Sequence, residues 1–519
     1  MFLLIQALVA LGALVVPTSA LAQGPRAFAS FAGFDRWVQA TMAEWKVPGL
    51  AVGAIKDGQV VLAKGYGFRD LDAREPVTAR TVMAIGSNTK SFTVALMAML
   101  VDEQRLAWDT PVRHYLPEFE MADEFATREM TPRDLVTHRS GLPRHDHVWY
   151  GRGLSRPELV RRLRYLEPSA AFRSKYQYQN LMFMMAGHLV ERIADRSWDD
   201  LVRERIFTPL GMVRSNTTVR ESPNTGDYAF PYGRRNGTTI RLPFRNVDAV
   251  GPAGAINSNV VDMLKYIGFG LDLGEVQGRR LLSMANAREM QLPQMAIPAI
   301  AEYLELGARA YGLGLSVSGY RGRKMVGHLG GIDGFTSAMA WLPNDRIGVI
   351  VLTNLSGNNP VPELVQRQVF DRLLGISSID WVARQRRLDH LAEATAGELK
   401  AGRARDRKTG TAPSHPLADY AGSYQHPGYG EVIVSVDGGD LVVALDSTRA
   451  RLRHYHYDVW EMDDAGLVPL TGLVEFLPGP GGAISQVAIP FEPNLGGVTP
   501  VTGKPRHEGI VFSRKPAAR

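Results

Sequence analysis

There is no cysteine among the 519 residues. This excludes disulfides, thiol nucleophiles, thiolate-held metals and a lipidated N-terminal cysteine. Neither sign of charge dominates: 59 Lys and Arg against 53 Asp and Glu leave a net +6, and arginine is scattered rather than gathered in a stripe. No RNA- or DNA-binding module is legible, so the basic balance reads as general surface charge and no nucleic-acid partner is expected. Beyond the N-terminus no apolar run is long enough to span a membrane. His145-Asp146-His147 invites a metal reading, but no third ligand cluster stands at metal spacing. Neither a metal nor a cofactor is therefore expected. What is present is a globular composition, 45% hydrophobic and 22% charged. The length exceeds one compact domain and suits a large domain joined to a smaller one.

Phe2 to Val16 is almost continuously apolar and is followed by Ala20-Leu21-Ala22. An apolar stretch ending in small-x-small reads as a secretory signal over 1–22, although neither Lys nor Arg precedes it. The expected location is periplasmic or secreted. From there the pattern gives an amphipathic helix over Phe34 to Trp45 and a hairpin turning at Asp57-Gly58. A long apolar helix, Phe92 to Leu100, follows, and Thr131-Pro132 starts a capped short helix. The pattern is mainly helical to about residue 250. Strands return at 312–317, 324–328, 336–342 and 347–352, and a helix over 363–374 closes the domain. Early and late strands with helices between them predict an α+β fold: one antiparallel sheet flanked by helices, with an inserted all-helical region, over 23–376. Residues 377–412 read as a linker or bridging helix, and 413–519 as a small all-β barrel.

Ser87-Asn88-Thr89-Lys90 lies where a short apolar run ending in Gly86 meets the Phe92 helix. Its spacing puts Lys90 one turn along from Ser87. A lysine buried beside an apolar helix loses proton affinity, and a neutral amine near a hydroxyl is a nucleophile–base pair. Tyr178 and Asn180 stand just before another apolar helix, where a phenol can relay a proton and an amide can hold both an amine and a substrate carbonyl. In Gly327-His328-Leu329-Gly330-Gly331 a histidine ends a strand, and two glycines permit close backbone approach of a ligand.

In this order the pieces resemble the serine β-lactamase and penicillin-binding-protein superfamily, and within it the class C β-lactamase, D,D-peptidase and esterase branch, over about residues 30 to 375. The stretches Leu135 to Pro143 and Gly251 to Ser258 are similar to family landmarks. The resemblance implies Ser87 as the acylated nucleophile, Lys90 as the group that takes its proton, and Tyr178 as partner base and later as acid for the leaving group. It implies Asn180 as orienter of Lys90 and the substrate amide, and His328, Gly330 and Gly331 as substrate-binding. An oxyanion hole would be made by the N–H groups of Ser87 and Gly331. Leu329 replaces the family's hydroxyl, and a neutral His328 removes a fixed cation, so the pattern looks more like peptidases and esterases than β-lactamases. The literal Lys408-Thr409-Gly410 lies in a charged linker without a preceding apolar strand, and His328 is preferred as the third motif. The C-terminal segment resembles a lipocalin-like β domain, on Tyr420 to Tyr424 and His426 to Gly430.

The expected activity is hydrolysis of peptide bonds through an acyl-enzyme, in D-residue-containing or unusual peptides, either cell-wall or linearised cyclic. An esterase or weak β-lactamase is the alternative, and a non-catalytic penicillin-binding sensor is a third. The expected partner is a small peptide or ester substrate, and a homo-oligomer is left open.

Overall fold

A nine-stranded antiparallel sheet forms the middle of the larger unit. Its strands run, edge to edge, Met295–Ala296, Arg309–Tyr311, Ser316–Tyr320, Arg323–Ile332, Phe335–Leu342, Ile347–Thr353, Gly49–Lys56, Gln59–Asp70 and Glu75–Pro76. The early hairpin thus sits beside the last strand, as chain ends sharing one sheet require. The computed structural model describes residues 31–235, 237–298, 303–446, 448–463, 472–491 and 509–516. The proposed signal, 1–22, lies outside them.

The strand period of two sorts the central strands between two cores. Leu50, Val52, Ala54, Val349 and Val351 face Phe34 and Val38 of the helix Phe34–Glu44, and Val365 and Phe370 of the helix Val361–Leu374. Ala51, Ile55, Ile350 and Leu352 face the opposite way, into a core shared with Val260, Leu264 and Ile267 of the helix Val260–Leu271. That second core also holds the helix Thr89–Asp102, mostly apolar and buried on every side from Thr89 to Leu100. A helix of that kind is stable only inside a protein. The helical insertion packs around it through Leu181–Ala194.

Local departures from the expected pattern are few. Residues 143–250 are not helical throughout: Tyr232–Arg235 and Thr238–Arg241 make a hairpin. The expected strand at 312–317 is mostly a turn, 312–315, between the strands Arg309–Tyr311 and Ser316–Tyr320, with Gly314 at φ +69° within it. The strand carrying His328 runs on to Ile332, so the histidine sits within a strand rather than at its end.

Residues 381–406 form one 26-residue helix. Its first turn is anchored by Trp381, whose Nε1–H donates to the fully buried Asp371. Eight strands from Gly422–His426 to Ile510–Arg514 then close a barrel, and Tyr420, Tyr424, Trp460 and Phe476 pack in its interior. The aromatic stretch 454–460 is the turn of a barrel hairpin, with Tyr455 and Trp460 buried.

Candidate active site

Ser87 occupies a single helical turn, Gly86–Asn88, directly ahead of the helix Thr89–Asp102. Two features fix that turn against the sheet. Asn88 Nδ2 donates to Ser337 Oγ at 2.7 Å, and Ser337 Oγ donates to the Ile85 carbonyl at 2.8 Å. A Cβ at Gly330 would stand 2.0 Å from that Ile85 oxygen, so only glycine lets the strand come this close. Gly86, at φ +53°, packs in the same way against the N–H of Gly331. The close approach read from Gly330 therefore admits a neighbouring segment of the chain. Gly331 faces open space.

Lys90 is fully buried one turn along. Its Nζ lies 2.8 Å from Asn180 Oδ1, 2.8 Å from the Ala253 carbonyl and 3.0 Å from Ser87 Oγ. Burial holds its pKa well below the lysine range; Arg144 pushes the same way and Asp146 opposes. The Tyr178 hydroxyl donates to Ser87 Oγ at 2.7 Å, and burial pushes this phenol up to about 12. Tyr178 is accordingly a neutral phenol near neutral pH, not a phenolate base.

His328 Nδ1 lies 2.5 Å from the Leu329 carbonyl, and Nε2 lies 2.8 Å from Tyr311 Oη. A carbonyl accepts but cannot donate, so Nδ1 carries the proton and the Tyr311 hydroxyl donates to Nε2. Burial above all pushes His328 down to about 3, which leaves a neutral imidazole. The Leu329 side chain is 41% exposed.

Ser87, Lys90, Tyr178, Asn180, His328 and the two glycines are thus gathered into one place. Lys408 is not with them: its N–H donates to His456 of the barrel hairpin, in an exposed turn. Three groups of the site escape a reading by motif. Tyr311, His138 and Tyr176 form an aromatic nest around Tyr178 and His328. Arg144 lies over the Tyr178 ring at 5.3 Å. Asp146 Oδ1 accepts from Asn180 Nδ2 at 3.2 Å. The run His145-Asp146-His147 stands out in the sequence, but nothing local links Asp146 to Asn180.

Close to Gly331 in the chain, Ile332 and Phe335 border a small depression together with Ala255, Phe244 and Arg245. A clasp stands beside it. The Tyr150 hydroxyl donates to Asp333 Oδ1 at 2.7 Å, and Arg245 Nε pairs with Asp333 Oδ2 at 2.7 Å. Among the described residues no group of three or more His, Asp or Glu could hold a metal ion.

A family model described as beta-lactamase matches residues 34–374. The chain belongs to the β-lactamase family. A second model, a domain of unknown function designated DUF3471, matches 406–499 and so covers much of the barrel. Among curated relatives, an unguisins hydrolase (ungD') of Aspergillus campestris is 28% identical over 487 residues, spanning 89% of this chain and 90% of the relative. A D-aminopeptidase of Brucella anthropi is 30% identical over 363 residues, 66% of this chain and 62% of the relative. Among solved structures, an octameric penicillin-binding protein homologue from Pyrococcus abyssi superposes with a TM-score of 0.62 at 25% identity, over 89% of this chain and 98% of its own. Its coverage takes in the barrel as well as the β-lactamase unit. The α+β fold with its appended barrel, and membership among these hydrolases, stand on those matches.

Proposed function

We propose that this β-lactamase-family protein cleaves amide bonds of small peptides through an acyl-enzyme on Ser87, with D-residue-containing or otherwise unusual peptides as substrates. One observation carries the mechanism. Lys90 Nζ stands 2.8 Å from two carbonyl oxygens, of Asn180 and Ala253, and 3.0 Å from Ser87 Oγ, so that when the amine is neutral its two hydrogens go to the carbonyls and its lone pair is left for the Ser87 hydroxyl. Ser87 Oγ attacks the carbonyl and its proton passes to Lys90. The N–H groups of Ser87 and Gly331 face the oxyanion. The C–N bond breaks as the proton returns through the Tyr178 hydroxyl to the leaving nitrogen. Water then takes the place of the leaving group and releases the acid.

The substrate class rests on chemistry and on relatives. The name D-aminopeptidase denotes peptide-bond cleavage, and unguisins hydrolase denotes a hydrolase. The neutral His328 and the apolar Leu329 leave no fixed cation or hydroxyl where β-lactam carboxylates are commonly held. Arg309 is the replacement we favour. It shares a strand face with Tyr311, its charge acts on His328, and among the described residues it has no carboxylate partner. Leu329 and the neutral imidazole equally suit an uncharged ester, which keeps esterase activity as the second reading.

Labelling by a fluorophosphonate should occur in wild type and vanish in Ser87→Ala. Side-by-side assays with D-alanine p-nitroanilide, p-nitrophenyl butyrate and nitrocefin should show turnover of the anilide first. Equal labelling of Ser87→Ala would overturn the nucleophile, and exclusive nitrocefin turnover would overturn the substrate class. The apolar segment 1–22 supports export, checked by sequencing the mature N-terminus. The octameric neighbour makes a homo-oligomer the assembly to test by light scattering.

A further inference from the structure

His145-Asp146-His147 is the motif that the reaction leaves unused. Its four-residue neighbourhood, Arg144 to His147, alternates between two destinations. Arg144 and Asp146 face the reacting groups: Arg144 lies over Tyr178, and Asp146 accepts from Asn180. His145 and His147 face the C-terminal barrel. His145 Nε2–H donates to the Glu167 carbonyl at 3.1 Å, so Nδ1 accepts the Tyr429 hydroxyl at 2.7 Å. The His147 ring lies 4.9 Å from Phe491, which itself stacks on Tyr429 at 5.6 Å. Further along, Arg152 pairs with Asp446 at 2.6 Å, and Arg162 donates to the Gly428 carbonyl at 3.2 Å. One short loop therefore touches the site with one side and the barrel with the other.

Asn180 explains why that matters. Its two amide ends have nearly the same shape and opposite hydrogen-bonding sense. Lys90 needs the oxygen end; the reversed amide would set NH2 against the amine. Asp146 can only accept, so it holds the nitrogen end on its own side. Trp149 Nε1–H, at 3.0 Å from Asp146 Oδ1, and Arg144 Nε–H, at 2.6 Å from Oδ2, fix the carboxylate in turn.

We propose that Asp146 is a positioning residue that sets the orientation of Asn180, and that the barrel holds Asp146 in place through Tyr429 and His145. The inference rests on the acyl-enzyme reading. It makes the barrel a component of the active site's geometry rather than an appendage.

The test is a double-mutant cycle on the full-length protein with D-alanine p-nitroanilide and p-nitrophenyl butyrate. Asp146→Asn, which can present a donor to Asn180, should lower kcat about tenfold and change KM less than about twofold. The groups facing Lys90 are Tyr178, Arg144, Asp146, His138 and His328. Removing the Asp146 charge takes away the carboxylate that favours the ammonium, so the acid limb of the kcat–pH profile should move to lower pH. In an Asn180→Ala background Asp146→Asn should add no further loss of kcat on the pH plateau, because that loss passes through the amide, while the shift of the acid limb, a direct effect of charge on Lys90, should persist. Tyr429→Phe should give a smaller fall in kcat, also absent in the Asn180→Ala background. Losses that multiply in the cycle, or wild-type kcat and pH limb in Asp146→Asn, would overturn the proposal. If Asp146→Asn does not fold, Tyr429→Phe alone decides through the same cycle. Ser87→Ala separates the two readings: if it keeps turnover the acyl-enzyme reading falls, and if it is inactive the cycle judges Asp146 by itself.

Discussion

Lys90 carries a conflict that sets the chemistry. Three oxygens surround its nitrogen, which favours an ammonium, while complete burial penalises one. Burial prevails, with Arg144 pushing in the same direction. Activity should then rise with pH as Lys90 gives up its proton. No fall assignable to Tyr178 should come until pH approaches about 12. His328, pushed down to about 3, is uncharged across this range, so His328→Gln should lower the rate yet keep the position of the acid limb. A kcat/KM profile of both proteins checks this; a limb that disappears with His328 would move the base assignment there. Arg309 offers a second expectation. Arg309→Ala should raise KM about tenfold for D-peptides with a free C-terminus and leave C-terminal amides unchanged, the size of one charged hydrogen bond.

The loop between Leu135 and Pro143 shows how one short element stiffens a site. Asp134 is fully buried at N3 of the helix Pro132–Leu135 and closes a capping box with Thr131. Arg139 and Arg173 both pair with it at 2.6 Å. The arginines hold its carboxyl below the usual range, although burial alone would raise it. Asp134→Ala would leave Arg139, largely buried, without its carboxylate and undo the capping box, while the more exposed Arg173 can turn to water, so urea unfolding should read a loss of about 2–3 kcal/mol. The capping box itself was legible, since Thr131-Pro132 followed by Asp134 is a local signal. The arginine pairs were not, because partners 5 and 39 residues away are chosen by the fold. The same division runs through the rest of the molecule. Ser87, Lys90, Tyr178, Asn180 and His328 were legible because each sits at a helix start or on an apolar strand with a distinctive neighbour. Asp146, Tyr311 and Arg144 were not, since their roles come from contacts across the sheet and the loops. The strand at 312–317 was misjudged because apolar alternation continues through Gly314, whose positive φ turns the chain.

Across the whole molecule, the helix Trp381–Asp406 joins the two units as a strut. One end is tied by Asp371 to Trp381 and by Glu44 to Arg386, the other by Arg407 to the Tyr455 carbonyl. Between those ties it is largely exposed, and Gly397 and Gly402 weaken it by about 1 kcal/mol each. Trypsin should cut first near Lys400, and the two fragments should still elute together and retain activity. Fragments that separate on a sizing column would mean that the Tyr429 face alone does not hold the barrel. The barrel interior adds one more consequence. Because Tyr420, Tyr424, Trp460 and Phe476 fill it, the barrel cannot yield under load as a hollow cup would. It acts as an anvil: a loop pressed against it is seated to within the tolerance of a packed core, and a distant change in that packing is felt at Ser87 as lost alignment.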